Sequence, residues 1–260
     1  MRNGRGCCGI RSTGVFLLVR TAWSDEIGMM HLRERWLTEE CVDAALGRPA
    51  RGAGIPVFRN GVIDRRLARA HPLLPLALYG PISGITVLTA HRSGYALREG
   101  LAFLAGWLVL SLVEYLLHRF YFHRETPSSR AGRIEAFLAH GYHHQYPNDV
   151  TRLVLPPLAT LPLAGAVFLV MHVALGTIGH VVFAGVLAGY IAYDTLHYVS
   201  HHTRARRGPI AWLRRYHLLH HSDHAPTRYG VSSPLWDLVF RTYAPPVPRR
   251  RAQAGRAAVP

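Results

Sequence analysis

LAFLAGWLVLSLVEYLLHRFYFH, residues 101–123, decides how this chain is read. Its first 17 residues, Leu101–Leu117, are apolar apart from Ser111 and Glu114, and they run without a break into His118 and His123. A helix of that length rises about 26 Å, close to the ~30 Å of hydrocarbon in a bilayer. The stretch therefore predicts a membrane helix that delivers imidazoles to one face of the membrane.

Three further apolar stretches share its character: Leu73–Ala90, Leu153–Leu175 and Ile178–Tyr193. Pro75 and Pro81 are expected to kink the first of these, and Pro156–Pro157 opens the next. Only Gly176–Gly179 lies between the last two, which predicts an antiparallel hairpin. The expected fold is an all-α integral membrane protein with four transmembrane helices and a helical cap. Gly185 and Gly189, spaced G-x-x-x-G, allow close helix packing within that bundle.

Eleven of the 17 histidines gather in four clusters. These are HRFYFH (His118, His123), HGYHH (His140, His143, His144), HYVSHH (His197, His201, His202) and HLLHH (His217, His220, His221), with His224 just beyond. Helix positions i, i+3 and i+4 share a face, so His140, His143 and His144 are expected to converge, as are His217, His220 and His221. His197 and His201 do so at i, i+4. His118 and His123 are five apart, about 140° around an ideal helix, so either the helix ends or distorts there or the two serve from different directions. Imidazole suits iron, copper and zinc, and no single ion accepts so many ligands, so two metals are implied. His31, His71, His91, His172 and His180 lie outside the clusters and are read as ordinary surface or core residues.

Charge sets the orientation. All 30 basic residues are arginine and the formal net charge is +15, yet half the chain is hydrophobic. The arginines are scattered around apolar runs instead of gathered on one polar domain, which argues against a nucleic-acid binder. The two predicted outer loops hold Arg92 and Arg98, and the other 28 fall on the opposite side, so both termini and all four clusters are expected on the cytoplasmic face. Cys7, Cys8 and Cys41 have no zinc-ligand spacing. A metal-stapled membrane scaffold without turnover stands beside the enzyme reading, though structural zinc sites usually draw on cysteine.

The flanks carry less. Residues 1–70 form an N-terminal cytoplasmic segment, read from His31 to Ala70 as an amphipathic helix and linker; Met29–Met30 offers an alternative start that would leave 1–28 outside the native chain. Residues 71–243 form the membrane domain, and 244–260, with Pro245, Pro246, Pro248 and an arginine run, read as a disordered tail.

The words around the histidines resemble the membrane fatty acid hydroxylase and sterol desaturase superfamily, and within it the fatty acid 2-hydroxylases. The likeness rests on EYLLHRFYFH (114–123), HGYHHQYPND (140–149) with RLVLPP (152–157), GYIAYDTLHY (189–198), HHSDH (220–224) and SPLWD (233–237). The resemblance implies ten metal ligands: His118, His123, His140, His143, His144, His197, His201, His217, His220 and His221. His202 is set apart as an extra ligand or neighbour, and His224 near the metals or the substrate. It also implies two iron ions, with zinc able to occupy the site in purified samples, and O2-dependent hydroxylation of a fatty acid or acyl lipid at carbon 2. No cytochrome b5 module is recognisable in the sequence, so electrons are expected from a separate cytochrome b5-like or ferredoxin-like protein. Sterol, sphingoid-base or carotenoid hydroxylation or desaturation are the alternatives within the superfamily. Glu114, four residues before His118, and Asp194, one turn before His197, are placed to accept a ligand N–H. Asp149, Arg152 and Asp237 match family words and are read as structural.

Overall fold

A computed structural model describes residues 34–91, 95–223 and 226–246. His224, His31, Arg92, the Met29–Met30 start and residues 247–260 of the tail lie outside the described residues. The helices are α1 Glu39–Ala45, α2 Leu74–His91, α3 Ala96–Leu116, α4 Arg130–Ala136, α5 Tyr142–Gln145, α6 Pro157–Leu175, α7 Thr177–His202, α8 Gly208–Asp223 and α9 Leu235–Val239. Among the described residues the extended structure amounts to one bridge, between Leu37 and Phe58.

Three helical stretches are long and apolar enough to cross a membrane: Ala96–Phe122, Pro157–Leu175 and Thr177–His202. On α6 the large side chains of Leu158, Leu163, Leu169, Val170 and Val173 are all exposed. A helix that is apolar all round and uncovered belongs in hydrocarbon, and the chain is a membrane protein. The stretch expected as a further span forms the shorter apolar helix α2, with Pro81 inside it.

The element ends differ from expectation for local reasons. The third stretch turns helical at Pro157, four residues after Leu153, because Pro156 must stay extended (φ −70°, ψ 153°) ahead of another proline. Pro157 then fits the first helical turn, where its missing N–H has no partner to lose. The hairpin turn is tighter than expected, a single Gly176 at φ +62°, a conformation that favours glycine. Beyond Tyr193, α7 continues to His202, so the third histidine cluster rides on the span itself.

α7 is the centre of the bundle, flanked by α3, α2, α6 and α8. Glycine lets the backbones meet: a Cβ on Gly106 would stand 1.9 Å from the Val182 carbonyl oxygen, and one on Gly185 2.0 Å from that of Phe103. Gly185 and Gly189 thus pack within the bundle, Gly189 against Leu110.

Outside the spans, a second core joins residues distant in sequence. Leu37, Cys41, Val42, Ile55 and Val57 pack with Ile134, Phe137, Tyr142 and Tyr146. Asp64 is buried and accepts from the backbone N–H groups of Val57 (2.7 Å) and Phe58 (3.0 Å), and it pairs with Arg152 at 2.5 Å. Burial alone would raise its pKa, but those donors and the Arg152 guanidinium hold it below the ordinary aspartate value. Tyr142 Oη donates to Asp149 and takes the Ile55 N–H. Residues 37–64 are therefore packed onto the same layer that carries His140–His144.

Candidate metal centre

Two wide turns shape the ends of the helices. Over Leu117–Phe122 the chain passes into a π-helical turn, closed where His123 N–H donates to the His118 carbonyl at 3.1 Å. An i→i+5 ladder stacks residues five apart, which brings His118 and His123 to the same side. Of the possibilities their spacing left open, the helix distorts. A second π turn, Phe137–Gly141, carries His140 into the short α5 with His143 and His144.

The ten histidines form two groups of five. His118, His123, His140, His144 and His220 make the first; His143, His197, His201, His217 and His221 make the second. Within each group the ligand nitrogens all lie within 4.8 Å of one another. His144 of the first group stacks on His221 of the second at 4.1 Å between ring centroids, so the groups adjoin.

The triads expected to converge on one point are each divided. His140 and His144 go to the first group and His143 to the second, whereas His217 and His221 go to the second and His220 to the first. Neighbouring helix residues stand about 100° apart, so the adjacent histidines of an H-x-x-H-H word face in different directions. The i, i+4 pair serves one group, and the i+3 histidine reaches into the other.

Spacing tests whether an ion fits. Nε2–Nε2 separations are 3.1 Å (His118–His140), 3.0 Å (His140–His144) and 2.9 Å (His123–His220) in the first group. In the second they are 2.9 Å (His143–His197), 3.0 Å (His143–His221), 2.8 Å (His201–His217) and 3.1 Å (His217–His221). Two nitrogens at right angles about an ion, each ~2.1 Å from it, stand about 3 Å apart. The donor set fits a transition metal in each group.

The rings are held in the ligating form. Burial, reinforced by neighbouring imidazoles, pushes His140, His143 and His217 far below the usual histidine pKa and takes His123 down to about 4. All are neutral at pH 7, with a lone pair available. In the first group, His118 Nδ1 lies 2.5 Å from the Tyr229 carbonyl oxygen and His220 Nδ1 3.2 Å from that of Thr227. Donation there directs Nε2 inward. In the second group the Nδ1 atoms of His197, His217 and His221 are buried and, among the described residues, unpartnered.

Among the described residues, neither expected carboxylate hydrogen-bonds a histidine. Glu114 accepts from the Val231 N–H (2.8 Å), the Ser232 N–H (3.1 Å) and the Ser232 hydroxyl. Asp237, fully buried, accepts from the N–H groups of Tyr229 (2.9 Å) and Gly230 (2.8 Å) and from Thr242 Oγ1. The two carboxylates fix the loop whose carbonyls orient His118 and His220. That loop escaped sequence reading because its working atoms are backbone; the two buried acids are the signal that pointed to it. Asp194 is buried beside Tyr190 and, among the described residues, makes no hydrogen bond to His197. His202 contacts His201 and Tyr198 but belongs to neither group, and His172 pairs with His180 at 3.0 Å.

Comparison with known proteins agrees with this geometry. The fatty acid hydroxylase family model matches residues 103–242, more than half the chain and all ten histidines. The chain belongs to the fatty acid hydroxylase family. Among curated relatives of that kind, the fatty acid 2-hydroxylase of Macaca fascicularis is 34% identical over 245 residues, covering 86% of this chain and 64% of its own. The dihydroceramide fatty acyl 2-hydroxylase FAH2 of Arabidopsis thaliana is 40% identical over 144 residues, covering 55% of this chain and 60% of its own. The Saccharomyces cerevisiae ceramide very long chain fatty acid hydroxylase SCS7 is 36% identical over 178 residues, covering 64% and 45%. The chain thus spans less than two thirds of each of these relatives. A solved structure of full-length scs7p, in which only the hydroxylase domain is visible, superposes with a TM-score of 0.69 at 30% identity, over 85% of this chain and 84% of that one.

Proposed function

We propose that the chain is an O2-dependent hydroxylase that places a hydroxyl at carbon 2 of a fatty acyl chain. The observation that carries this is the pair of adjoining five-histidine groups in a family whose curated relatives bear 2-hydroxylase names. The ten histidines are the ligands, and the metal is iron. Two iron ions held there would supply the reduction of O2 and the abstraction of hydrogen from an unactivated C–H bond.

The chain's own residues do the rest. Overall, one O2, two electrons and two protons convert C–H to C–OH and one water. Every ligand is a neutral imidazole, and no carboxylate joins either group among the described residues. The loaded site is therefore strongly positive, and the carboxyl or amide oxygen of an acyl group is drawn to it. Carbon 2, the neighbour of that carbonyl, is brought closest. The uncovered spans keep the rest of the acyl chain in hydrocarbon, and fixing that geometry lowers the entropic part of the barrier. Ceramide-linked acyl groups are a second substrate reading, favoured by the names of the plant and yeast relatives.

In this reading α2 completes a four-span bundle and residues 71–243 are the hydroxylase domain. The histidines face the cytoplasm, and electrons arrive from a separate carrier. Expression in a host without hydroxylated fatty acids, followed by mass spectrometry of total lipids, tests the assignment. Lipids carrying 2-hydroxyacyl chains support it; hydroxylation confined to mid-chain positions, or none with the protein folded and iron supplied, contradicts it.

A further inference from the structure

We infer that Arg204, Arg206, Arg207 and Arg214 form the docking surface for an acidic one-electron carrier protein that feeds the second histidine group. The inference rests on the hydroxylase reading for its need of electrons, and on the structure for its place. Between Thr195 and Ser222 the chain has five arginines and no aspartate or glutamate. These arginines fill the connection from α7 to α8 and the first turns of α8, between His201 and His217, which are both in the second group. Arg204, Arg206 and Arg207 are exposed, and among the described residues no carboxylate pairs with them or with Arg214. Arg214 stands about one helical turn before His217, a member of the second group, on the same helix. The patch therefore adjoins the second group.

Two occupants suit a bare basic surface, an anionic membrane and an acidic protein. Helix length favours the protein. α7 has 26 residues and so rises about 39 Å against ~30 Å of hydrocarbon. By length, its last six residues, His197–His202, exceed what the acyl region needs, and Arg204, Arg206 and Arg207 follow them in the chain. A carrier must visit twice per turnover, which suits a small, charged, transient interface whose association is electrostatically steered. His202, beside His201 and outside both groups, lies between this surface and the second group in the chain.

The test uses the full chain in nanodiscs of zwitterionic lipid. Binding of a soluble acidic cytochrome b5 domain and of an acidic [2Fe–2S] ferredoxin is measured at low and high salt. Alongside, binding of the chain to phosphatidylserine vesicles is measured, for the wild type and for the double variant Arg206→Glu, Arg207→Glu. The proposal expects at least one carrier to bind the wild type, with affinity falling about tenfold or more in the variant and with added salt, as charge-steered encounters do. Thermal melting of the variant should match the wild type. Carrier binding that is absent, or unchanged by the double reversal, overturns the proposal, including the case in which only vesicle binding is lost. Product formation with dithionite in place of a carrier reports on the hydroxylase reading separately, so loss of one does not mask the other.

Discussion

His143 is the i+3 histidine of its word, yet its Nε2 lies within 3.0 Å of the Nε2 atoms of both His197 and His221. Replacing His143 by alanine removes one ligand from the second group and none from the first. Bound iron should fall from two ions per chain toward one by plasma mass spectrometry, with product lost and the fold retained; full activity would refute the assignment. Glu114 acts at one remove, through Val231 and Ser232. Glu114→Ala leaves those two N–H groups without their acceptor and loosens the carbonyl that orients His118. Metal affinity should drop about 10- to 100-fold in the first group and hold in the second, as read by competitive chelation. At this scale the ligand set was legible in the sequence, because histidine spacing is local information. The division of each H-x-x-H-H word between two ions was not, since it depends on where four separate helix ends meet. Glu114's partners were equally hidden, being more than 100 residues away along the chain.

At the scale of elements, the α3–α7 crossing depends on Gly106 and Gly185. Any side chain at Gly106 meets the Val182 carbonyl, which is backbone and has no rotamer to give. Gly106→Val should abolish the folded species in detergent or lower its melting temperature severely, whereas Gly84→Ala, with nothing within 4 Å of the new Cβ, should be neutral. The spans themselves were readable from apolar length. Their ends were set by details that hydropathy averages away: Pro156 holding back α6, and the uninterrupted run past Tyr193 that lets α7 carry its own histidines. The N-terminal segment was the least legible, since its contacts with 134–152 leave no periodic trace. Asp64→Ala tests that packing: it strips Arg152 of a buried counter-charge and should destabilise by about 3–5 kcal/mol in thermal or denaturant melts.

For the whole molecule, the buried histidines predict how the metal-free protein responds to acid. Their folded pKa values are depressed, while in the unfolded chain they titrate near 6.5, so below that pH the unfolded state binds protons that the folded state refuses. Stability of the metal-free chain should fall progressively as pH drops from about 6.5, toward about 4 for His123, where the folded state begins to take up its own proton. Metal-loaded protein should resist longer, because the ions bind only the folded arrangement. Denaturant midpoints measured across that range, with and without chelator, check both curves; a flat profile for the metal-free chain would mean that the rings are not buried.

The central claim is that the four histidine clusters assemble two adjoining five-ligand metal sites. Anomalous diffraction at the iron edge from crystals of the full chain tests it most directly. Two peaks are expected, one within reach of His118, His123, His140, His144 and His220, the other within reach of His143, His197, His201, His217 and His221. A single peak shared by all ten histidines, or iron bound elsewhere in the chain, would contradict the account.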